Sequence, residues 1–224
     1  MDTNLCRHIP MFDNFLMKTF VLNDLRPVTS LSACAVRCTD NLECGSFFYI
    51  EVRGERLCQT HSILFSSAER ADVNPGARYY QLTQGWCPFA DGYMLNRKLS
   101  LCYRYVDKKQ TWESAQTFCS QEGGHLLWLT SQEEADHVKH FLLSSSSDRR
   151  GQHVSVGIHM TDGQVWTLTD GRRVSFTDWA EGEPNSGREN CVLLAWFYSF
   201  QWNDSFCTGY QWPALCQLDR TGHT

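Results

Sequence analysis

Eleven cysteines in 224 residues constrain this chain more than any other feature. None of them forms a Cys-x-x-Cys pair. Reducing compartments rarely keep so many thiols without such pairs, so disulfide bonding in an oxidising compartment is the expectation. Zinc is the alternative use, and it needs four ligands at tetrahedral-site spacing. Cys34 and Cys38 stand four apart and Cys44 follows, but no further histidine or cysteine pair completes a set. The cysteines fall into an early group (6, 34, 38, 44, 58) and a late group (87, 102, 119, 191, 207, 216). The length suits one large domain or two small ones. The grouping favours two, abutting near Gln84-Gly85, just after the turn signal Asn74-Pro75-Gly76 and the strand-like Arg78–Leu82.

Composition removes several function classes. A net charge of −5 leaves no basic stripe to neutralise a phosphate backbone, so a nucleic-acid partner is not expected. With 42% hydrophobic and 13% aromatic residues the chain fills a core rather than staying disordered. No apolar run is long enough to span a bilayer, so membrane insertion is not expected. The first residues lack the basic start and apolar centre of a signal peptide, so a secreted protein of this sequence would be a mature form. The hydrolase and phosphate-loop motifs HExxH, GxSxG and a Gly-rich cradle are missing, and no enzyme is expected. His137 and His140, three apart on a helix-like segment, read as solvated. The run "SSSSDRR" at 144–150 reads as a surface loop.

In the early group, "SLSACAVRC" reads as a helix capped by Ser32, with Cys34 and Cys38 on one face that two disulfides would fasten to a sheet. The aromatic runs "GSFFYIEV" and "RYYQL" suit that sheet. Residues 4–84, through "SACAVRCTDNLECGSFFYI", "LCQTHS" and "RYYQL", resemble the PAN/apple domain family. The resemblance implies a sheet cradling one helix and the pairs Cys34–Cys58 and Cys38–Cys44. Many apple domains tie their first cysteine to one near the domain's end, and this chain has none near Gln81. Cys6 is left over, either as an intermolecular bond in a homodimer or as an unpaired thiol.

In the late group, Thr111–Gln121 has the apolar spacing of an amphipathic helix, with Trp112, Ala115, Phe118 and Cys119 on one side. A second helix starts near Ser131, where Ser131-Gln132-Glu133-Glu134 resembles a capping box. Short strands follow in "HVSVGIHM" and "QVWTLTD", then a loop-rich stretch to "ENCVLLAW", an α+β pattern. Residues 86–218 resemble the C-type lectin domain, through "WESAQTFC", "GGHLLWLTSQEEA", "VSVGI", "FTDWAEGEPN", "ENC", "WND" and "ALCQ" in order. The resemblance implies two helices, small antiparallel sheets and a long loop region, with Cys119–Cys216, Cys191–Cys207 and, for the long form, Cys87–Cys102.

Against that resemblance, "EGEPNSGRENC" and "WND" read as a calcium cage. Calcium takes six to eight oxygen ligands with little angular demand. Glu183, Glu189 and Asp204 offer carboxylates, and Asn185 and Asn203 offer neutral carbonyl oxygens. The resemblance implies that open coordination positions take two neighbouring sugar hydroxyls, which the same five residues bind. A carboxylate can hold metal with one oxygen and accept a hydroxyl with the other, and an amide offers both an oxygen and an N–H. A cis bond is expected before Pro184. The order Glu-Pro-Asn implies equatorial 3- and 4-hydroxyls, hence mannose, glucose, N-acetylglucosamine or fucose. Ser186 and Asn190 stand where relatives often carry aspartates for another calcium, so one ion is expected.

The run "AWFYSFQWND" complicates the sugar class. Strand alternation would point at least one ring outward near the metal, and Tyr198 is the chosen contact. Such a ring lets some relatives accept galactose despite Glu-Pro-Asn. The glycosylation pattern Asn203-Asp204-Ser205 reads as chance, because a glycan there would remove a ligand. The expected function is secreted, calcium-dependent recognition of microbial or cell-surface glycans in immunity or adhesion. The rival is an adhesion module that binds protein, with calcium only ordering a loop.

Overall fold

The computed structural model describes residues 6–65, 68, 71–82, 86–88, 91–144 and 151–220. The expected boundary at Gln84-Gly85 and the loop at 145–150 lie outside the described residues. The chain divides into two compact units between Cys102 and Tyr103.

The first unit contains β1 (Cys6–His8), β2 (Phe15–Leu16), β3 (Val21–Pro27), α1 (Leu31–Thr39), β4 (Ser46–Val52), β5 (Glu55–His61), β6 (Asp72–Val73), β7 (Ala77–Leu82) and β8 (Met94–Asn96). An antiparallel sheet runs β1-β7-β4-β5-β3, with β2 and β6 paired separately. Alternation along β4 explains why its sequence is apolar on consecutive positions. Phe47 and Tyr49 pack with Cys34, Cys38 and Cys58 on the α1 side, while Phe48 and Ile50 pack with Phe12, Phe65 and Tyr79 on the other. Both faces are covered, so both must be apolar.

The cap of α1 is Ser30 rather than Ser32: its extended backbone stops the preceding chain, and its Oγ accepts from Ala33 N–H at 3.1 Å. Ser32 sits inside the first turn. Of the two helix cysteines, Cys34 reaches β5 through Cys58, whereas Cys38 joins Cys44 in the turn just after the helix. One bond therefore ties helix to sheet, and the other closes a local turn. Arg97 holds the same region, donating to the carbonyls of Thr39 at 2.9 Å and of Cys38, Asn41 and Cys44 at 3.3 Å. The Thr39 and Cys38 carbonyls are ones that a helix end leaves without intrahelical partners, and those of Asn41 and Cys44 belong to the turn that follows. Cys87–Cys102 closes the end of this unit.

The second unit takes most of β9 (Leu101–Gln110), then α2 (Trp112–Gln121), β10 (His125–Leu126), α3 (Gln132–Ser144), β11 (Val154–Thr161), β12 (Val165–Leu168), β13 (Cys191–Ala195), β14 (Gln201–Ser205) and β15 (Trp212–Leu218). Its strands run β14-β13-β11-β15-β9, with β10 on β15 and β12 on β11. Thr111 caps α2 from outside, accepting from Ser114 N–H at 3.2 Å. Ser131 Oγ accepts from Glu134 N–H at 3.2 Å, and Glu134 reaches back to Thr130 N–H at 2.7 Å, one residue earlier than a capping box prescribes. Trp112, Ala115 and Cys119 bury the inner face of α2, and Cys119–Cys216 bonds it to β15. Gly157 is required where β11 meets Leu126, because a Cβ there would stand 2.3 Å from the Leu126 carbonyl oxygen.

His137 is a correction to the sequence reading. It lies on the inner side of α3, with Nε2 3.0 Å from the Tyr103 hydroxyl and its ring edge-on to Tyr103. Burial, with neighbouring His140, lowers its pKa to about 4. Helical spacing alone did not reveal which face α3 buries.

Candidate functional site

Three loop contacts assemble the site at the open edge of β14. Trp179 bridges Trp202 in parallel, with Ala180 N–H donating to Trp202 O and Trp202 N–H to Asp178 O, each at 2.9 Å. Trp202 is fully buried, and the rings of Trp179 and Phe176 meet it edge-on. The chain turns at Ala180–Glu183, where Gly182 has φ +86° and Glu183 N–H donates to Ala180 O. The Glu183–Pro184 bond is cis. Asn185 and Ser186 then present their N–H groups to the two oxygens of Asp204 at 3.1 and 3.0 Å.

The β13–β14 register supplies the rest. Val192 faces Asp204, Leu193 faces Asn203, and Cys191 faces Ser205, closed by Cys191–Cys207. Glu189, two residues before Cys191, arrives at the same end of the hairpin. Asn185 Nδ2 donates to Glu183 Oε1 at 2.9 Å, and Asn203 Nδ2 donates to the Asp204 carbonyl. Turning that amide over would set two oxygens against each other, an arrangement that a cation between them stabilises.

The electrostatics are unbalanced. Asp204 is fully buried, and its donors are neutral backbone N–H groups. Among the described residues no lysine, arginine or histidine pairs with Glu183, Glu189 or Asp204. Burial pushes the Glu183 carboxyl up, and the adjoining Asp204 and nearby Glu189 push it further. Glu189 is raised by burial and then by Asp204. Glu183 Oε2 and Asn190 Oδ1 are buried without a hydrogen-bond partner. Among the described residues no three His, Cys, Asp or Glu side chains are gathered closely enough to make a metal centre by themselves. Like charges without a counter-ion repel, so an open arrangement is what such a trio adopts. The donor set is nevertheless all oxygen, mixes carboxylate with carboxamide, and leaves Glu183 Oε2 unused. That chemistry fits a hard divalent cation, with calcium's tolerance of geometry.

Tyr198 sits outside the loop and strand that carry these five. Trp196–Tyr198 forms a 3₁₀ turn at the tip of the β13–β14 hairpin, so strand alternation does not extend over it. Tyr198 is half-buried against Phe197, with ring centroids 4.5 Å apart. The exposed rings are Trp196 and Phe197 at the tip, and Phe206 and Tyr210 beyond β14. The last two escaped the sequence reading because lone aromatics ordinarily signal core. Cys6, on β1, is half-buried and free, and burial raises its thiol pKa. No described helix is long and apolar enough to cross a membrane.

The model of the lectin C-type domain matches residues 108–218, and that of the PAN domain matches residues 6–84. The chain is 32% identical over 148 residues to C-type lectin BML-1 of Bungarus multicinctus, covering 63% of this chain and 86% of that one. It is 29% identical over 143 residues to C-type lectin domain family 4 member G of Mus musculus, covering 61% of this chain but only 42% of that relative's length. The crystal structure of human lithostathine superposes with a TM-score of 0.53 at 26% identity, over 62% of this chain and 96% of the other.

Proposed function

The chain belongs to the C-type lectin family, with a PAN domain ahead of its lectin domain, and on that premise we propose that it is a secreted protein binding glycans through calcium. The domains are proposed to extend over 4–84 and 86–218. Glu183, Asn185, Glu189, Asn203 and Asp204 are the proposed ligands of one calcium ion. When bound, calcium supplies open coordination positions for two vicinal sugar hydroxyls. The chain's own residues orient the sugar: carboxylate oxygens accept from its hydroxyls, and the amides of Asn185 and Asn203 donate to them. The single observation behind this reading is Asp204, fully buried beside two carboxyls whose pKa values are raised, with no cationic side chain paired to any of the three. A buried anion without a counter-charge is unfavourable, and a divalent ion offsets that.

Glu183-Pro184-Asn185 supports mannose-type sugars, including glucose, N-acetylglucosamine and fucose, over galactose, which is the second preference. The role is recognition of microbial or cell-surface glycans in immunity or adhesion, without catalysis. One sugar site binds near millimolar, about 4 kcal/mol, so useful avidity needs several. A disulfide-linked dimer through Cys6 would supply two, and a single monomeric band on non-reducing electrophoresis would refute that arrangement. The decisive experiment is competition by free mannose and free galactose for binding to immobilised mannan, with calcium and with chelator. Mannose should compete better, and chelator should abolish binding. Binding that persists in chelator, or none in calcium, refutes the reading in favour of a protein-binding module.

A further inference from the structure

Every large aromatic side chain exposed among the described residues lies between positions 196 and 210: Trp196 (41%), Phe197 (58%), Phe206 (43%) and Tyr210 (54%). Exposed aromatics gathered on one surface mark a binding face, whereas scattered single ones need no explanation. Here Phe206, Tyr210 and Phe197 are linked through neighbouring rings. Phe206 begins two residues beyond Asp204, and its ring lies 6.3 Å from that of Tyr210, at 34°. Tyr210 lies 6.5 Å from Trp212, at 19°. Trp212 meets His153 at 4.6 Å, and His153 meets Phe197 at 4.8 Å. The rings thus trace a path from the Cys191–Ser205 end of the hairpin, where the candidate ligands gather, to its tip.

Two further properties select the occupant. Trp212 Nε1 and His153 Nδ1 are buried, so the polar atoms of these rings lie within the protein and the path meets solvent through apolar ring faces. The segment from Ser205 to Trp212 contains no charged residue, so neither a charged peptide nor an anionic lipid surface finds a counter-charge there. Tilted, near-parallel rings in an uncharged segment suit a neutral ligand with flat apolar faces, which describes a chain of hexoses.

The geometry points to an extended subsite in which Phe206, Tyr210 and Trp212 stack the inner residues of an oligosaccharide whose terminal residue occupies the proposed calcium site. The inference rests on the calcium-dependent reading above and gives that site a preference for length: each stacked hexose adds affinity that a monosaccharide cannot gain. Phe206, Tyr210 and the partly buried Trp212 contribute apolar faces.

The test measures binding of free mannose and of linear mannose oligosaccharides of increasing length, in calcium, to the full chain and to Phe206→Ser, Tyr210→Ser and the double variant. Both substitutions are at exposed positions, and near-ultraviolet circular dichroism checks the fold. The full chain should bind the longer oligosaccharides at least about tenfold more tightly than mannose, and the double variant should lose that gain. Mannose binding should be unchanged and still abolished by chelator. Length preference that survives in the double variant, or is missing from the full chain, overturns the subsite while leaving the calcium site standing. Loss of mannose binding in the folded variants also overturns it, since the rings would then belong to the primary site. Failure of the full chain to bind any mannose ligand in calcium removes the underlying reading as well. Self-association of the full chain that the double variant abolishes would assign the rings to a second copy instead.

Discussion

In the first unit charged side chains meet opposite charge, whereas in the second the least exposed carboxylate meets neutral backbone donors and other carboxylates, with no cationic side chain. Glu51 lies between Arg56 at 2.9 Å and Arg78 at 3.5 Å, Glu43 meets Lys98 at 3.0 Å, and Asp72 meets Lys18. These pairs stay at the surface, where solvent screens them and each contributes little. Asp204 is buried, and its neighbours Glu183 and Glu189 have pKa values raised by burial and then by Asp204. A fold can tolerate that arrangement where something from outside completes it. The contrast separates charge that solubilises from charge that waits for a ligand, more sharply than a count of acidic residues does.

The covalent ties differ in the same direction. Cys38–Cys44 spans 6 residues of sequence and Cys34–Cys58 spans 24, while Cys119–Cys216 spans 97. Loop-closure entropy makes the long tie the stronger one. Replacing Cys119 and Cys216 by serine should lower unfolding free energy by about 4.7 kcal/mol, against about 2 kcal/mol for Cys38 and Cys44. Denaturant midpoints measure both. Equal losses would mean that residual structure, and not closure entropy, sets the effect.

Next in size, Asp204→Asn should weaken calcium-dependent mannan binding about a hundredfold, some 2.8 kcal/mol. Chelator should lower the melting temperature of the parent chain but not of this variant. Glu51→Gln, in the first unit, should change stability by less than about 1 kcal/mol and binding not at all. If Glu51→Gln proves the more damaging change, the contrast between the units fails.

Each unit also holds a histidine that burial keeps neutral, and here the comparison should break down into similarity. His61 is fully buried, with Nδ1 2.9 Å from Thr19 O, and its pKa falls to about 4. An unfolded histidine takes up its proton near pH 6.5, so the unfolded state binds more protons between pH 6.5 and about 4, and stability declines as pH falls through that window. The loss at His61 should reach about 2 kcal/mol by pH 5. His61→Gln should flatten that slope in a pH series of unfolding midpoints, and His137→Gln should do so in the same direction. A slope unaltered by His61→Gln would assign the acid sensitivity to other groups.

The smallest expected effect is a change of sugar preference. Glu183→Gln with Asn185→Asp should move selectivity toward galactose by about tenfold, some 1.4 kcal/mol. Unchanged selectivity in a competition assay would mean that the neighbouring rings decide it.

Much of this molecule was legible before any coordinates. The cysteine grouping announced two units, because a disulfide framework imposes spacing on the sequence itself, but Cys87 and Cys102, grouped with the late set, fall in the first unit. The helix at Trp112–Gln121 was legible from its periodicity, and only its cap shifted, to Thr111. Ser30 rather than Ser32 caps α1 because two serines compete locally, and where the chain leaves β3 decides between them. His137 was misplaced because a helix's spacing says that two faces exist, not which one is covered.

The site divides along the same line. The sequence by itself determined the residue types at 183, 185, 189, 203 and 204, since oxygen donors and a proline are local chemistry. It did not determine that Asp204 would be fully buried, that the Trp179–Trp202 bridge would draw Glu183 and Asn185 onto β14, or that Tyr198 would be half-buried in a 3₁₀ turn while Phe206 and Tyr210 faced solvent. Those outcomes depend on which surfaces distant segments cover. Burial belongs to the packed whole, and it is burial that turns three ordinary carboxyls into an unbalanced group.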